Sequence, residues 1–366
     1  SSSAMSGHKP PGRAAGERPP APVDAAAEGT NHRRSVVAVL AVVVVLTTAV
    51  SLAVGAVGIS PGEVVAVVSR RLGLSLGAEP STQVDAVLWG IRLPRVLLGL
   101  AAGLALAIAG TALQGVYRNP LADPQLLAIG PGAALGAVVF MLALEPTPLP
   151  AVVGGVIGAL GAAAVVQRFS TRTGPDPSRL VLIGVALGAV LTAVVGLVVL
   201  AGDRAGIPSV DFWLLGSLAG ATWRAVTVAT PVIAIGAALV GSTARALDLM
   251  ALGEAEARHL GVDVDAVTRR ALVGIALVVG AVVGVAGIIG FVGLLIPHVM
   301  RRWVGPSHGW LLVSSALAGA IFLAAADVLA RTVASPIEIP VGLVTTVVGG
   351  PFFLWLLARA ARGGTP

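Results

Sequence analysis

The sequence contains no cysteine. Without a thiol the chain forms no disulfide, supplies no thiolate to a metal ion or to a nucleophilic reaction, and offers no cysteine for lipidation. Every function that depends on thiol chemistry is therefore excluded.

Lysine is almost absent too, since Lys9 is the only one and lies in a polar N-terminal stretch. The P-loop of ATPases needs a lysine beside the β and γ phosphates of the nucleotide. This chain therefore has no Walker A site. It also has no HExxH motif and no nucleophile elbow, which disfavours intramembrane hydrolysis. We predict no catalytic residue, no metal site and no cofactor in this chain.

Charge is scarce, at 11% of the 366 residues, whereas 56% are hydrophobic and the mean hydropathy is +0.94. Soluble domains carry about a quarter charged residues. The composition therefore predicts an all-α polytopic membrane protein. The isoelectric point of 11.2 does not indicate nucleic-acid binding, because the arginines are scattered between apolar runs without a basic stripe or stacking aromatics.

One long apolar helix organises the rest of the chain. No charged residue occurs between Arg95 and Tyr117, which exceeds the ~20 residues needed to cross a hydrocarbon core. Gly99, Gly103 and Gly110 remove side-chain bulk, as close packing between membrane helices requires. We expect this helix to span the membrane among others.

Ten spans are predicted from the apolar runs. A polar stretch, residues 1–34, precedes them and has too little hydrophobicity to fold, so we expect a disordered tail followed by one transmembrane domain over 35–366. No cleavage pattern precedes the first run, which is expected to remain as a span. The eighth predicted span is short and is interrupted by Pro297. The spans are 35–57, 94–117, 125–144, 149–167, 179–201, 224–243, 271–290, 292–304, 309–330 and 340–360.

The distribution of basic residues predicts the orientation, because cytoplasmic loops carry an excess of Lys and Arg. With a cytoplasmic N-terminus and ten spans, 17 of the 24 basic residues lie on the cytoplasmic side and 7 on the other. Both termini are therefore predicted to be cytoplasmic. A weak internal repeat relates helices two to five with helices seven to ten, because AIAGTALQGV and GVAGIIGFVG each precede a proline-containing turn.

Several ordered motifs resemble those of the FecCD-type permeases, the membrane subunits of ABC importers for iron-siderophores, haem and vitamin B12. The resemblance covers the chain from about residue 36 to its end. The motifs are RLPR (92–95), AIAGTALQGVYRNPLADP (107–124), LGEAEARHLG (252–261), GFVGLLIPHVMR (290–301), AADVLAR (325–331) and IPVGLVTTVVGGPFF (339–353).

The resemblance implies the type II ABC importer permease fold in the cytoplasmic membrane, surrounded by lipid. It also implies a homodimer, or a heterodimer, that binds two ATPase subunits carrying the ATP and Mg, and an extracytoplasmic substrate-binding protein. The implied cargo is an iron(III)-siderophore complex, with haem or a corrin as alternatives. An ion-coupled secondary transporter is the alternative class; it needs ionisable residues inside helices, and only Asp327 is a serious candidate.

Three arginines are candidates for docking the binding protein. Arg92 and Arg95 lie three residues apart at a helix start, and Arg331 lies at the same predicted outer end. By resemblance they receive acidic residues of the binding protein, a task that suits the rigid guanidinium fork. The alternative is interfacial anchoring of helix ends. Asp327 is expected to orient Arg331 one turn along the helix.

A cytoplasmic gate is implied by the same resemblance at Asn119 and Leu121 in one loop and at Pro177 and Ser178 in a second. The second loop reads GPDPSR, where a proline replaces the threonine of the corrin branch. The alternative for the first loop is a simple helix-breaking turn, because Pro120 disfavours the helical conformation of the residue before it.

Residues 244–270 form the one long charged stretch after the tail, with a helical pattern interrupted by Gly253 and Gly261. By resemblance this is the coupling segment that contacts the ATPase; a solvated connector is the alternative. Gln114 is expected to make an interhelical hydrogen bond, and His298 to pack rather than to bind haem. The expected contact set is Leu252, Gly253, Glu254, Ala257 and Leu260.

Overall fold

The computed structural model describes residues 22–361 except 56–57, 75–76, 78, 174–176 and 202–213; the side chains of 22–28, 171–178 and 359–361 lie outside the description as well. The described backbone consists of helices and turns and contains no β-strand. The predicted all-α class is confirmed.

In chain order the helices are α1 (Pro22–Ala53), α2 (Pro61–Arg71), α3 (Thr82–Val87), α4 (Leu93–Val116), α5 (Ile129–Ala143), α6 (Pro148–Thr173), α7 (Pro177–Ala201), α8 (Trp223–Ser242), α9 (Ala244–Met250), α10 (Glu254–His259), α11 (Val264–Ala286), α12 (Val292–Val304), α13 (His308–Thr332) and α14 (Val341–Ala361). A five-residue π-helical turn, Leu88–Arg92, joins α3 to α4 without a break.

Within the described residues, eight helical runs are long and apolar enough to cross a membrane: α1, the run from α3 to α4, α6, α7, α8, α11, α13 and α14. The other two predicted spans contain α5 and α12, of 15 and 13 residues. Each predicted span thus contains a helix. The count of ten crossings stays a prediction, since 13 helical residues reach only about 20 Å of a hydrocarbon core of about 30 Å.

Helix α1 starts earlier than the sequence indicated. Residues 22–34 were expected in a disordered tail, but α1 begins at Pro22 and continues into the apolar span. The correction has a simple cause. Alanine and glutamate favour helix, and extending an existing helix avoids the cost of nucleating a new one. Residues 1–21 of the predicted tail lie outside the described part.

One short helix, α2, was missed because it is too short and too polar to be a span. Ser60 and Glu63 form a capping box at its start. Later in the chain, α3 continues into α4 through the π-helical turn that contains Trp89. The ring of Trp89 lies 4.8 Å from that of Trp223. Trp223 Nε1 also donates to the carbonyl of Trp89 at 2.8 Å, which fixes the start of α8 against the π-helical turn.

Helices α4 and α11 occupy the centre of the fold, and glycine permits their close contacts. A Cβ on Gly110 of α4 would overlap the carbonyl of Gly293 in α12, and one on Gly103 would overlap that of Gly319 in α13. Backbones this close gain dispersion contacts that lipid cannot supply. The predicted burial of this helix among others is therefore observed.

The short helices α5 and α12 start in the same way. Ala128 precedes α5 with φ 62°, and Phe291 precedes α12 with φ 66°. A left-handed residue other than glycine is uncommon, so its occurrence at both positions is a shared feature of these two helix starts. The internal repeat nevertheless stays a prediction.

Candidate functional site

At one end of the molecule Arg95 is enclosed by two carboxylates. Its Nε donates to both carboxylate oxygens of Asp327, at 2.9 and 3.2 Å, and its Nη1 donates to Glu338 Oε1 at 2.7 Å. The side chains of Arg95 and Asp327 are only 8% and 4% exposed. Such charge-assisted pairs hold α4 against α13 across 232 residues of sequence.

The other two arginines of this end hold the last turn of α1. Arg92 Nη1 donates to the carbonyls of Leu52 and Ala53 at 2.7 and 2.9 Å. Arg331 Nη2 donates to the carbonyl of Ser51, and its Nε lies 3.5 Å from Asp327 Oδ2. The expected orientation of Arg331 by Asp327 is confirmed. We call Arg92, Arg95, Arg331, Asp327 and Glu338 the arginine cluster.

The three candidate docking arginines are engaged within the chain. The side chains of Arg92, Arg95 and Arg331 are all buried and bonded to other residues of the chain. For Arg92 and Arg331 the reason is that the last turn of α1 leaves carbonyls without helical partners, and the guanidinium groups satisfy them. Glu338, with 41% of its side chain exposed, is the member of the cluster that faces solvent. Docking itself stays a prediction.

At the opposite end α4 stops in a tight polar turn. Arg118 adopts φ 48°, and Asn119 Oδ1 accepts from the amide of Leu121 at 2.9 Å. Asp123 Oδ1 accepts from the amide of Gln125 at 2.8 Å, and this carboxylate is buried. Burial raises the pKa of Asp123 to about 6.

The predicted gate residues are only partly described. Asn119 is buried in its own turn, and Leu121 is half-buried. Pro177 and Ser178 begin α7, but their side chains lie outside the described residues. The approach of these positions to a second copy therefore stays a prediction.

The predicted coupling segment, residues 244–270, contains α9, α10 and the first turns of α11, with Gly253 at φ 128° between α9 and α10. The side chains of Leu252 and Leu260 are 65% and 59% exposed. Ala257 is fully buried, so it fixes the segment against the fold and is not available as a contact side chain. That part of the contact set is corrected, because one face of a short helix must pack on its own domain.

Glu254 connects the coupling segment to the turn after α4. Its carboxylate lies 3.3 Å from Arg118 Nη2, with both side chains partly exposed. An exposed pair of this kind contributes only about 0–1 kcal/mol to stability. The pair is important for its position, because it joins the coupling segment to Arg118, which directly precedes the predicted gate residue Asn119.

A second connection was not predicted from the sequence. Asp248 of α9 accepts from Ser307 Oγ, from the amide of His308 and from His308 Nδ1, at 3.3, 2.7 and 2.7 Å. It thereby caps the N-terminus of α13. The ring of His308 lies against α4, where a Cβ on Gly115 would come within 2.5 Å of Nε2.

The remaining polar groups tie helices together. Gln114 Nε2 donates to the carbonyl of Gly293 at 3.2 Å, and Arg301 Nη2 donates to Gln114 Oε1 at 3.1 Å. The expected interhelical hydrogen bond of Gln114 is confirmed. His298 packs edge-on against Phe352, 5.6 Å between ring centres. Among the described side chains, no three His, Asp or Glu residues come together to hold a metal ion.

Eight apolar helical runs among the described residues, packed through close glycine contacts, define a polytopic membrane protein. The chain belongs to the FecCD transport family, whose model matches residues 25–359. It is therefore an ABC importer permease subunit of that family.

Relatives within the family serve different cargoes. The chain is 42% identical over 299 residues to the hemin transport permease HmuU of Yersinia pestis, covering 79% of this chain and 89% of HmuU. It is 42% identical to the cobalamin import permease BtuC of Halobacterium salinarum, over 78% of this chain and 76% of that one. For the iron(III) dicitrate permease FecD of Escherichia coli the identity is 40%, over 75% and 85%.

A solved structure supports the same assignment. An inward-facing metal-chelate type ABC transporter matches with a TM-score of 0.75 and 28% identity, covering 89% of this chain and 99% of that one. The predicted importer permease fold is thereby confirmed.

Proposed function

We propose that this chain carries iron(III)-siderophore complexes across the cytoplasmic membrane, driven by ATP hydrolysis on partner subunits and supplied by an extracytoplasmic binding protein. The observation that supports the ATP-driven part is the coupling segment. Its Leu252, Glu254 and Leu260 are exposed, whereas other residues of the segment are buried against the rest of the chain. The chain itself has no Walker lysine. Iron chelates, haem and cobalamin are the cargoes named for its relatives, and haem or a corrin is the alternative here.

Two ATPase subunits would contact two copies of this chain through the coupling segment. Two exposed leucines flanking a carboxylate offer an apolar contact with a charge that fixes its register. Asp248 and Glu254 each connect that segment to the helices behind it. Movement of the ATPase would therefore reach α13 and the turn after α4 directly.

The pathway would run between the two copies and close at Asn119, Leu121, Pro177 and Ser178. Helix α7, which begins at Pro177, supports this arrangement because most of its surface is uncovered in the single chain. Two identical copies are the simplest assembly, and a related permease as the second copy is the alternative. Both termini would then lie in the cytoplasm.

The binding protein would dock at the end that holds the arginine cluster. Because Glu338 lies over Arg95 and is partly exposed, an acidic residue of the binding protein would compete with Glu338 for the same guanidinium. The alternative of ion-coupled transport finds no support. Asp327, its candidate carrier, is engaged by Arg95 and Arg331 and is only 4% exposed.

The test is uptake by reconstituted vesicles that contain this chain, its ATPase and its binding protein. We expect a ferric siderophore to enter only with ATP on the ATPase side, and haem and cobalamin to enter far more slowly. The chain alone under a proton or sodium gradient should transport none of them. Uptake without ATP would contradict the ABC mechanism, and faster haem or cobalamin uptake would contradict only the cargo.

The role of the coupling segment can be separated from that of its internal ion pair. Glu254→Arg should abolish ATP-driven uptake while leaving the permease folded, because the change lies in an exposed side chain. Arg118→Gln is the matched control, since it removes the same ion pair and keeps Glu254. Unchanged uptake in Glu254→Arg would identify the segment as a solvated connector.

A further inference from the structure

Three arginines and one tryptophan form a basic patch at the end of the molecule that holds the coupling segment. The proposed transport function does not use this patch. Arg33 and Arg34 come from α1, and Arg302 and Trp303 from the last turn of α12; we call this set the basic rim. His32 Nε2 donates to the carbonyl of Trp303 at 3.1 Å. The guanidinium of Arg33 lies 3.4 Å from where a Cβ on Gly305 would be. Residues 271 positions apart in sequence are thus brought into contact.

The charge of the basic rim is not balanced within the described chain. Arg34 and Arg302 are exposed, and Arg33 is half-buried. No carboxylate among the described side chains pairs with any of the three. Some exposed arginines elsewhere do have such partners, as Arg258 has Asp265. Positive charge without a carboxylate partner, where α1 meets the end of α12, favours an anionic ligand.

The basic rim lies at the border of an apolar surface. Directly after Arg34, α1 enters its apolar span, and several large side chains of that span are exposed on the surface of the fold. Trp303, with 59% of its surface exposed, lies on the same border. Tryptophan and arginine side by side at the end of an apolar surface are typical of the membrane interface. The exposed residues of α1 are Val39, Val42, Val45, Leu46 and Val50.

We propose that the basic rim binds the phosphate headgroup of an anionic phospholipid, with the acyl chains lying along the exposed face of α1. Arginine forks match phosphate oxygens in pairs, and basic pockets between membrane helices bind such headgroups. The continuity of the rim with the apolar face of α1 distinguishes a lipid from a soluble anion. A headgroup shared by Arg33 and Arg302 joins α1, the least covered of the candidate spans, to α12.

The proposal is tested by counting lipids bound to the purified full chain by native mass spectrometry. We expect phosphatidylglycerol to be retained in preference to phosphatidylcholine. An arginine near a membrane surface strengthens the binding of anionic lipid roughly fivefold. The double variant Arg33→Gln, Arg302→Gln should therefore weaken phosphatidylglycerol binding by roughly 25-fold while its melting temperature in neutral lipid stays that of the wild type.

The control is Arg70→Gln with Arg71→Gln, which removes the same charge from two exposed arginines of α2 that are paired with Glu79 and Asp85. It should bind phosphatidylglycerol as the wild type does. An equal loss in both double variants would mean general charge attraction, and no loss in the rim variant would exclude the site. Inorganic phosphate, added to the protein in neutral nanodiscs, should not raise the melting temperature as phosphatidylglycerol does. If it does, the site takes a soluble anion and the lipid proposal fails.

Discussion

Asp248 Oδ1 accepts hydrogen bonds from both the backbone amide and the Nδ1 of His308, each at 2.7 Å. One carboxylate of the coupling segment therefore caps α13 and holds the ring that packs on Gly115 of α4. Since α4 ends directly before the predicted gate, we expect a displacement of the coupling segment to reach the gate through packed groups and not through a loose linker.

Asp248→Ala should weaken this connection. Loss of the cap leaves the amide of His308 without its acceptor, so we expect about 1–2 kcal/mol of destabilisation. We also expect ATP hydrolysis to continue with less uptake per ATP. Asp248→Asn keeps an acceptor and should recover most of the stability. Thermal melting and the ratio of cargo to ATP measure the two effects; an unchanged ratio in Asp248→Ala would place the coupling elsewhere.

Glu338→Gln should strengthen docking of the binding protein. Glu338 holds Arg95 Nη1 at 2.7 Å while 41% exposed, so its neutralisation removes the competitor of an incoming carboxylate. Charges at the edge of a protein interface mostly change the association rate. The affinity for the binding protein should therefore increase a few-fold, and most at low salt.

The matched control for docking is Glu79→Gln, which removes another exposed carboxylate paired with an arginine, Arg70, at the same end. Its binding-protein affinity should equal that of the wild type. Surface plasmon resonance on nanodiscs at two ionic strengths provides the measurement. Weaker binding of Glu338→Gln would show that Glu338 itself contacts the partner.

Gly110→Ala should disrupt the packing of α4 on α12. The new methyl group would overlap the carbonyl of Gly293, and backbone cannot move aside as a flexible side chain can. Overpacking of this kind costs about 1–3 kcal/mol or more. Gly161→Ala adds the same methyl group where nothing lies within 4 Å, so its melting temperature should be unchanged. Equal melting of the two variants would contradict the observed contact.

Single cysteines at the predicted gate should crosslink across the dimer on this cysteine-free background. Leu121→Cys should react faster than Asn119→Cys, because Leu121 is half-buried whereas Asn119 is held inside its own turn by the amide of Leu121. Pro177→Cys and Ser178→Cys complete the set. The yield of covalent dimer on non-reducing gels is the measurement, and failure of all four in a dimeric preparation would reject the gate.

The sequence was sufficient for the apolar helices and for the helix packing of Gly110, because span length and glycine spacing are local properties. It was also sufficient for the pair of Asp327 and Arg331, one turn apart. It could not reveal partners distant in the chain. Arg95 meets Glu338 across 243 residues and Asp248 meets His308 across 60, and nothing in either local pattern indicates the other. The partners within the chain that bury the three arginines were therefore not predicted.

The last prediction concerns pH. The pKa of Asp123 is raised from 3.8 to about 6 in the folded chain, so the folded state binds this proton more tightly than the unfolded state does. Its contribution is then most favourable below pH 4 and is lost as the pH rises through about 6. At 1.36 kcal/mol per unit, the loss is about 3 kcal/mol.

Asp123→Asn isolates this effect, because the amide oxygen still accepts from Gln125 while the ionisation is removed. We expect the variant to melt like the wild type near pH 4 and at a higher temperature at pH 7, with the difference appearing between those values. Comparing the two proteins at each pH cancels the titration of all other groups. A difference in melting temperature that does not change with pH would mean that Asp123 does not titrate between those pH values in the folded chain. A neighbouring group would then have to neutralise the charge of its carboxylate.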